Sequence, residues 1–363
     1  MAVKLVKPIN YKNIKKITDA DFEKQLKFLG VNANFTVALS GGPDSLALLY
    51  LAKNFAKKNN LKFIAVSIDH RLREDSSIEI KWIKKLMKKE KVRFLSKKVI
   101  KKISSSNTLS TARKHRYELL ADVCRKNKFK YLLTAHHLDD EIETFLMRLI
   151  RGSGIKGLSS LKPVSMYKGG EIKIVRPLLK YSKKCLIKYL AKMKQPYIYD
   201  NTNQDMKYDR SRIRAIAENL ITEGLDKKRI LEVIENLKKA DEAITVSVNN
   251  YLKKCISLGR NSTLKFNNKK FKEAPVEIQY RVINKLCRLM GNKDKVPRSK
   301  SLQNLIEKIN TGDFKSHTLN GCIFMIKSDE ILISKEKRGS PHSGQNFKVI
   351  LKNKNWPKLI EHY

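Results

Sequence analysis

Along the first half of the chain, short apolar runs alternate with segments whose apolar positions recur every three or four residues. The runs at 35–39, 62–69, 93–98 and 130–134 read as buried strands. The segments at 44–55, 78–89, 110–127 and 139–151 read as helices. Such alternation predicts βαβ units, hence a parallel sheet with helices on both faces. From about Arg214 it stops, and helical patterns occupy 227–254, 276–290 and 299–309. A hairpin-like stretch, 318–327 with 330–335, closes this second region. The expected fold class is therefore α/β: a parallel-sheet N-terminal domain, then a mainly helical domain ending in a small β hairpin. The expected divisions are a lead-in at 1–30, domains at 31–213 and 214–338, and a short basic tail at 339–363. No internal repeat is evident.

Ligands of open parallel sheets bind beyond the carboxyl ends of the strands, and the chemistry-bearing residues fall there. Ser40-Gly41-Gly42-Pro43-Asp44-Ser45 follows the first strand, Asp69-His70 the second, and His136-His137 the fourth. At a strand-to-helix turn, Gly41 and Gly42 let the backbone approach a ligand closely. The free N–H groups and positive dipole end of the new helix favour an anion. Ser40 and Ser45 add hydroxyl donors. A carboxylate beside phosphates makes sense mainly if it holds a cation, so Asp44 points to Mg²⁺. A plainly capped helix start without a ligand, Pro43 sitting just inside it, fits the same residues.

Composition narrows the partners. Lys and Arg number 77 against 35 Asp and Glu, a formal charge of +42 that attracts polyanions. A Lys-rich coding bias would also produce part of that excess, and runs such as Lys84-Lys85-Leu86-Met87-Lys88-Lys89 read as solvated helix faces. Solubility alone does not need so large an excess, which favours nucleic acid as partner. No stretch has the apolar length of a membrane span, and the N-terminus lacks a signal-peptide core. Five scattered cysteines without a C-x-x-C pair fit a reducing, cytoplasmic setting and argue against a zinc or iron–sulfur centre.

A second constellation runs Thr134-Ala135-His136-His137-Leu138-Asp139-Asp140-Glu141-Ile142-Glu143-Thr144. On a helix beginning near Asp139, Asp140 and Glu143 stand three apart and share a face. Two carboxylates on one face of a basic protein suit a cationic substrate. Asp139 and Glu141 read instead as first-turn acids that complement the helix dipole. His136 gains weight only from its position at the strand end.

This segment, leading to Arg151-Gly152-Ser153-Gly154-Ile155-Lys156-Gly157-Leu158, resembles the tRNA(Ile)-lysidine synthetases. Ser40 to Ser45 is likewise similar to the SGGxDS loop of the PP-loop ATP pyrophosphatases, and no Walker A spacing is present. Further matches come in order: Asp69-His70-Arg71-Leu72-Arg73, Ala112-Arg113-Lys114-His115-Arg116-Tyr117 and Arg176-Pro177-Leu178-Leu179. Asp200-Asn201-Thr202-Asn203 with Arg210-Ser211-Arg212-Ile213-Arg214, and Leu319-Asn320-Gly321-Cys322, complete them. Arg210-Ser211 stands where the family more often has Arg-Asn. Longer members carry a further β-rich domain, of which only a stub would fit after Lys335.

The resemblance implies a PP-loop (Rossmann-like) enzyme that uses ATP to join free L-lysine to the wobble cytidine of an isoleucine tRNA with a CAU anticodon. It implies that Ser40, Gly41, Gly42, Pro43, Asp44, Ser45, Asp69 and His70 bind ATP, with Asp44 holding Mg²⁺. Arg113 and His136 would steady the transferring phosphate, and Asp140 and Glu143 would seat the lysine. Arg210, Arg212 and Arg214 alternate in spacing with apolar Ile213, which suits an edge that tracks tRNA phosphates; ordinary surface arginine is the alternative. The assembly is left open to a homodimer. A tRNA thiolase would need partnered cysteines, which Cys124 and Cys185 lack in the sequence pattern. A non-catalytic RNA-binding protein would explain the charge but not the motifs.

Overall fold

A computed structural model describes residues 4–7, 16–69, 76–99, 108–159, 161–167, 170–199, 209–259, 263–291, 297–313 and 315–336. The chain divides between Lys238 and Lys239 into two compact units. The first contains β1 (Leu5–Val6), α1 (Asp19–Phe28), β2 (Phe35–Ala38), α2 (Pro43–Lys58), β3 (Phe63–Asp69), α3 (Ser76–Lys89) and β4 (Phe94–Lys98). It continues through α4 (Thr108–Lys126), β5 (Tyr131–Leu133), α5 (Leu138–Ile150), α6 (Ile155–Leu158), β6 (Val164–Met166) and β7 (Lys173–Val175). Then come α7 (Lys183–Lys192), β8 (Tyr197–Ile198), α8 (Asp209–Thr222) and α9 (Lys227–Cys255), within which the division falls.

The main sheet runs β4-β3-β2-β5-β7-β6, parallel throughout except for the β6–β7 edge pair. The chain steps from β2 outward to β3 and β4, then returns to β5 on the other side. The strand order therefore reverses between β2 and β5, the crevice in which open α/β sheets bind ligands. All four residues of β2 are buried, as a central strand covered on both faces requires. Phe35 and Val37 join the core shared with α1, α2 and α7. Ala38 joins the core on the α4 side, where the Cys124 thiol donates to Thr36 Oγ1 at 3.2 Å.

A third apolar cluster couples α5 to the two helices α8 and α9. Ile142, Phe145 and Leu146 pack with Ile213 of α8 and with Ile230 and Ile234 of α9. Through that cluster α8 and the first turns of α9 bury their apolar stripe against the first unit, so the division between compact units falls at Lys238/Lys239, where the sequence pattern had suggested 213/214.

The second unit holds the rest of α9, β9 (Ile256–Leu258), β10 (Leu264–Asn267), α10 (Asn268–Glu273), α11 (Val276–Met290), α12 (Ser299–Thr311), β11 (Ser316–Leu319), β12 (Cys322–Lys327) and β13 (Glu330–Lys335). The expected hairpin is present as β12–β13, but it belongs to a five-stranded antiparallel sheet ordered β11-β12-β13-β10-β9. Helices α11 and α12 lay Val282, Ile283, Leu286, Leu302, Leu305 and Ile309 onto this sheet's core.

The turn after β2 depends on glycine. Gly41 has φ +82°, and a Cβ there would lie 2.5 Å from Ile198 Cδ1, while Ile198 N–H donates to Gly41 O at 3.0 Å. Left-handed backbone costs an L-residue about 1–2 kcal/mol before any clash. Gly41→Ala is therefore expected to lower stability by about 1–3 kcal/mol, read as an earlier denaturant midpoint of the first unit. An unchanged midpoint would contradict the geometry.

Candidate active site

The residues 40–45 turn is held by its own serine. Ser45 Oγ accepts from Ser40 N–H at 3.1 Å, lies 3.1 Å from Ser40 Oγ and donates to Gly42 O at 3.0 Å. Gly42 is the N-cap of α2 and contributes no side-chain hydrogen bond, with Pro43 next at the helix start. The helix thus opens with donors that no capping side chain consumes, the arrangement that receives phosphate oxygens.

Helix α5 begins at the end of the neighbouring strand with a different device. His137 is its N-cap and is almost fully buried. Its Nδ1 accepts from Asp140 N–H at 3.4 Å, and its own N–H donates to Asp140 Oδ2 at 3.0 Å, a capping box built with histidine. The other ring nitrogen, Nε2, lies 3.6 Å from Asp44 Oδ2 and 3.5 Å from Asp140 Oδ2. One imidazole therefore joins the start of α2 to the start of α5. Burial opposes its charge, but the hydrogen bond to Asp44 and the fields of Asp140, Asp44 and Asp139 outweigh it and raise its pKa.

His136 shows the opposite balance. Its Nδ1 lies 3.0 Å from Thr134 Oγ1, which fixes the ring at the end of β5. Burial pushes its pKa down to about 3; Asp140 opposes this, while Arg176, Arg113 and Arg116 reinforce it. With Nδ1 held at the Thr134 hydroxyl, Nε2 is the ring nitrogen left to face a ligand. Thr134 N–H donates to Val175 O at 2.9 Å, so His136 and Arg176 leave adjacent parallel strands side by side. Arg176 is buried, with Nη1 donating to Lys162 O at 2.7 Å and Ser165 Oγ at 2.9 Å. Burial lowers its pKa, and the neighbouring charges of Arg113 and Arg148 lower it further against the pull of Tyr117. Arg113 in turn lies over the Tyr117 ring at 5.4 Å. Arg148 donates to Gly157 O at 2.6 Å and ties the 152–157 loop to α5.

The acids at the start of α5 are sorted by partner. Asp139 accepts from Lys183 N–H and Lys227 Nζ, each at 2.8 Å; these contacts lower its pKa against burial. Glu141 pairs with Lys238 at 2.8 Å. Glu143, buried, receives Arg214 Nε on Oε1 and Arg214 Nη2 on Oε2 at 3.3 Å. Among the described residues, no lysine or arginine pairs with Asp140. Asp44 Oδ1 is buried without a hydrogen-bond partner. An orphaned carboxylate oxygen beside a phosphate-receiving turn fits a hard divalent cation. No ready-made cage of three or more His, Cys, Asp or Glu side chains exists among the described residues, so nucleotide oxygens and water would complete the coordination.

The PP-loop domain family matches residues 13–220. The tRNA(Ile)-lysidine synthase of Wolbachia pipientis is 35% identical over 312 residues, 84% of this chain and 71% of the relative. Those of Orientia tsutsugamushi (31% over 316 residues) and Rickettsia bellii (33% over 313 residues) each cover 84% of this chain and 70% of the relative. The chain belongs to the tRNA(Ile)-lysidine synthase family. A solved U34-tRNA thiolase from Methanococcus maripaludis shares the fold, with a TM-score of 0.52 at 21% identity over 61% of this chain and 77% of that one. Cys124 and Cys185 are core residues here.

Within this lysidine synthase family member, the structure brings Asp44, Asp140 and His137 together and sets Ser40, Gly41, Gly42, Pro43 and Ser45 around one turn. Asp69, buried at the end of β3, accepts from Ser76 Oγ at 2.9 Å and so anchors α3. His70 lies outside the described residues, as does the side chain of Arg210. The arginine alternation expected to form one edge is carried by a helix instead: on α8 a spacing of two sends Arg212 to a different side from Arg214. Arg212 is exposed, whereas Arg214 turns to Glu143. His137 and Arg176 entered the sequence reading only as members of the His136-His137 and Arg176-Pro177-Leu178-Leu179 motifs, without a role of their own. Arg148 was not singled out, and nothing local marked it.

His136 is expected to stay neutral above about pH 5 in the nucleotide-free protein, whereas an ordinary histidine titrates near 6.5. A folded pKa below the unfolded one means that His136 withdraws stability as pH falls from 6.5 toward about 3. Imidazole ¹⁵N chemical shifts would show one ring locked in a neutral tautomer; a His136 resonance titrating near 6.5 would contradict this.

Proposed function

We propose that this protein joins L-lysine to C2 of the wobble cytidine in an isoleucine tRNA with a CAU anticodon, converting ATP to AMP and pyrophosphate. The observation that carries the reading is the pairing of two unlike half-sites across the β2–β5 crevice. One is an uncapped helix start with an orphaned carboxylate oxygen; the other is a helix start rich in acids.

In the first step the cytidine O2 attacks the α-phosphorus of ATP and pyrophosphate leaves. Ser40, Gly41, Gly42, Pro43 and Ser45 receive the departing phosphates through N–H and hydroxyl donors. Asp69, at the end of the neighbouring strand, completes the nucleotide site together with His70, which lies outside the described residues. Mg²⁺ held by Asp44 would supply positive charge against the growing negative charge of the leaving group. Neutral His136 donates to the transferring phosphate, and Arg113 supplies its counter-charge.

In the second step the lysine ε-nitrogen attacks C2, the C2–O2 bond breaks, and AMP leaves with that oxygen. The ammonium must first lose a proton, because it has no lone pair. Asp140 and Glu143 seat the cation, and Asp140, which among the described residues has His137 beside it but no lysine or arginine partner, is placed to take the proton. Arg210, Arg212 and Arg214 belong to the tRNA-binding contribution of α8, beside the lysines that attract RNA non-specifically. All residues named here come from one chain, so a homodimer is compatible without being required. The proposed setting is the cytoplasm, where tRNA and ATP meet; among the described residues no helix is long and apolar enough to cross a membrane.

The test incubates the purified protein with ATP, Mg²⁺, labelled lysine and an unmodified isoleucine tRNA transcript. Label should enter this transcript and not a methionine tRNA with the same anticodon, with AMP formed in step. Asp44→Ala should lower the rate by about 10²–10³-fold, the scale of losing one transition-state charge contact. AMP formation without lysine incorporation would retain the PP-loop chemistry and refute the second substrate.

A further inference from the structure

The first turns of α5 carry Asp139, Asp140, Glu141 and Glu143, and three of these already hold a cation from the same unit. Lys227 and Lys238 reach Asp139 and Glu141 from α9 and act as ties between helices. Arg214 is different in place and in geometry. Its guanidinium grips both oxygens of Glu143, a buried carboxylate, and remains about a third exposed itself. Burial opposes its charge, but Glu143, Asp140 and Asp44 all stabilise it. Arg214 is therefore the resident cation within the field of the carboxylates assigned to the amine and the metal.

We propose that Arg214 occupies the amine seat in the substrate-free protein, and that lysine enters by exchanging with it at Glu143. This rests on the reading of Asp140 and Glu143 as the lysine seat. A second cation placed beside a bound guanidinium would meet like-charge repulsion in a partly buried site, whereas exchange leaves the local charge unchanged. A guanidinium released from a carboxylate needs another anion, and a phosphate offers the same two-point geometry. A phosphate of the bound tRNA is that acceptor. Arg214 thereby becomes a specificity-determining residue: the seat opens to lysine when RNA is present to take the arginine, and free amines meet a filled site otherwise.

The experiment measures L-lysine affinity of the full chain by calorimetry with a non-hydrolysable ATP analogue, with and without the isoleucine tRNA transcript. In the wild type, tRNA should tighten lysine binding at least about fivefold, the lower end of ordinary coupling between sites. Arg214→Gln should tighten tRNA-free lysine binding by a similar factor and abolish the further gain from tRNA. Arg214→Lys, which keeps the charge but loses the fork and guards against a misfolded Gln variant, should tighten tRNA-free binding by a smaller factor. Weaker tRNA-free lysine binding in either variant would overturn the proposal and make Arg214 a fixed part of the seat. Asp140→Asn separates the levels of failure: if the wild type binds lysine and Asp140→Asn abolishes this, the seat is established and the Arg214 variants decide. No saturable lysine binding by the wild type under either condition would refute the seat and the exchange together.

Discussion

The contact on which the site depends is the buried imidazole of His137 between Asp44 and Asp140. It is a cap, because it satisfies the first turn of α5, and it is a bridge, because it reaches the carboxylate at the start of α2. Helix starts need their N–H groups satisfied, and the two helices solve that need in opposite ways. Helix α5 closes its N-terminus with its own side chains, which leaves its acids to face a cation. Helix α2 begins at a glycine and leaves its donors to a ligand. In the proposed reading, phosphate and amine chemistry fall to neighbouring strand ends according to how each helix is capped.

The sheet makes that division possible. Reversal of strand order between β2 and β5 opens a crevice where both helix starts converge. The positions are stiff because β2 is buried throughout, Gly41 is fitted against Ile198, and α5 is clamped by the cluster it shares with α8 and α9. Around them the surroundings are graded: burial, reinforced by nearby arginines, favours the neutral form of His136, while acids near His137 draw a proton toward it against burial. Two adjacent histidines with the same intrinsic chemistry take opposite roles from their surroundings.

Much of the first unit was legible because its strands and helices differ sharply in apolar period. The glycine turn, the acidic helix start and the family of the chain were readable for the same reason: they lie in contiguous residues. Three things were not. Strands β9 and β10 are short, and only their pairing, β9 with β10 and β10 with β13, distinguishes them from loop. The boundary near Lys238 depends on Ile230 and Ile234 packing back onto α5, a tertiary choice that a helical pattern does not encode. Arginines 210, 212 and 214 looked like an extended edge because apolar Ile213 separates two of them; as part of a helix, Ile213 faces the core and Arg214 turns to Glu143.

The central claim is that the α2 start handles phosphate and the α5 start handles the amine. Single-turnover analysis of Asp140→Asn with ATP, Mg²⁺, lysine and the isoleucine tRNA transcript tests it most directly. The account predicts that adenylated tRNA and pyrophosphate form at a rate near that of the wild type, and that the adenylate accumulates because lysine does not displace it. Equal loss of adenylation and lysine transfer would show that the two half-sites do not divide the chemistry, and would contradict the account.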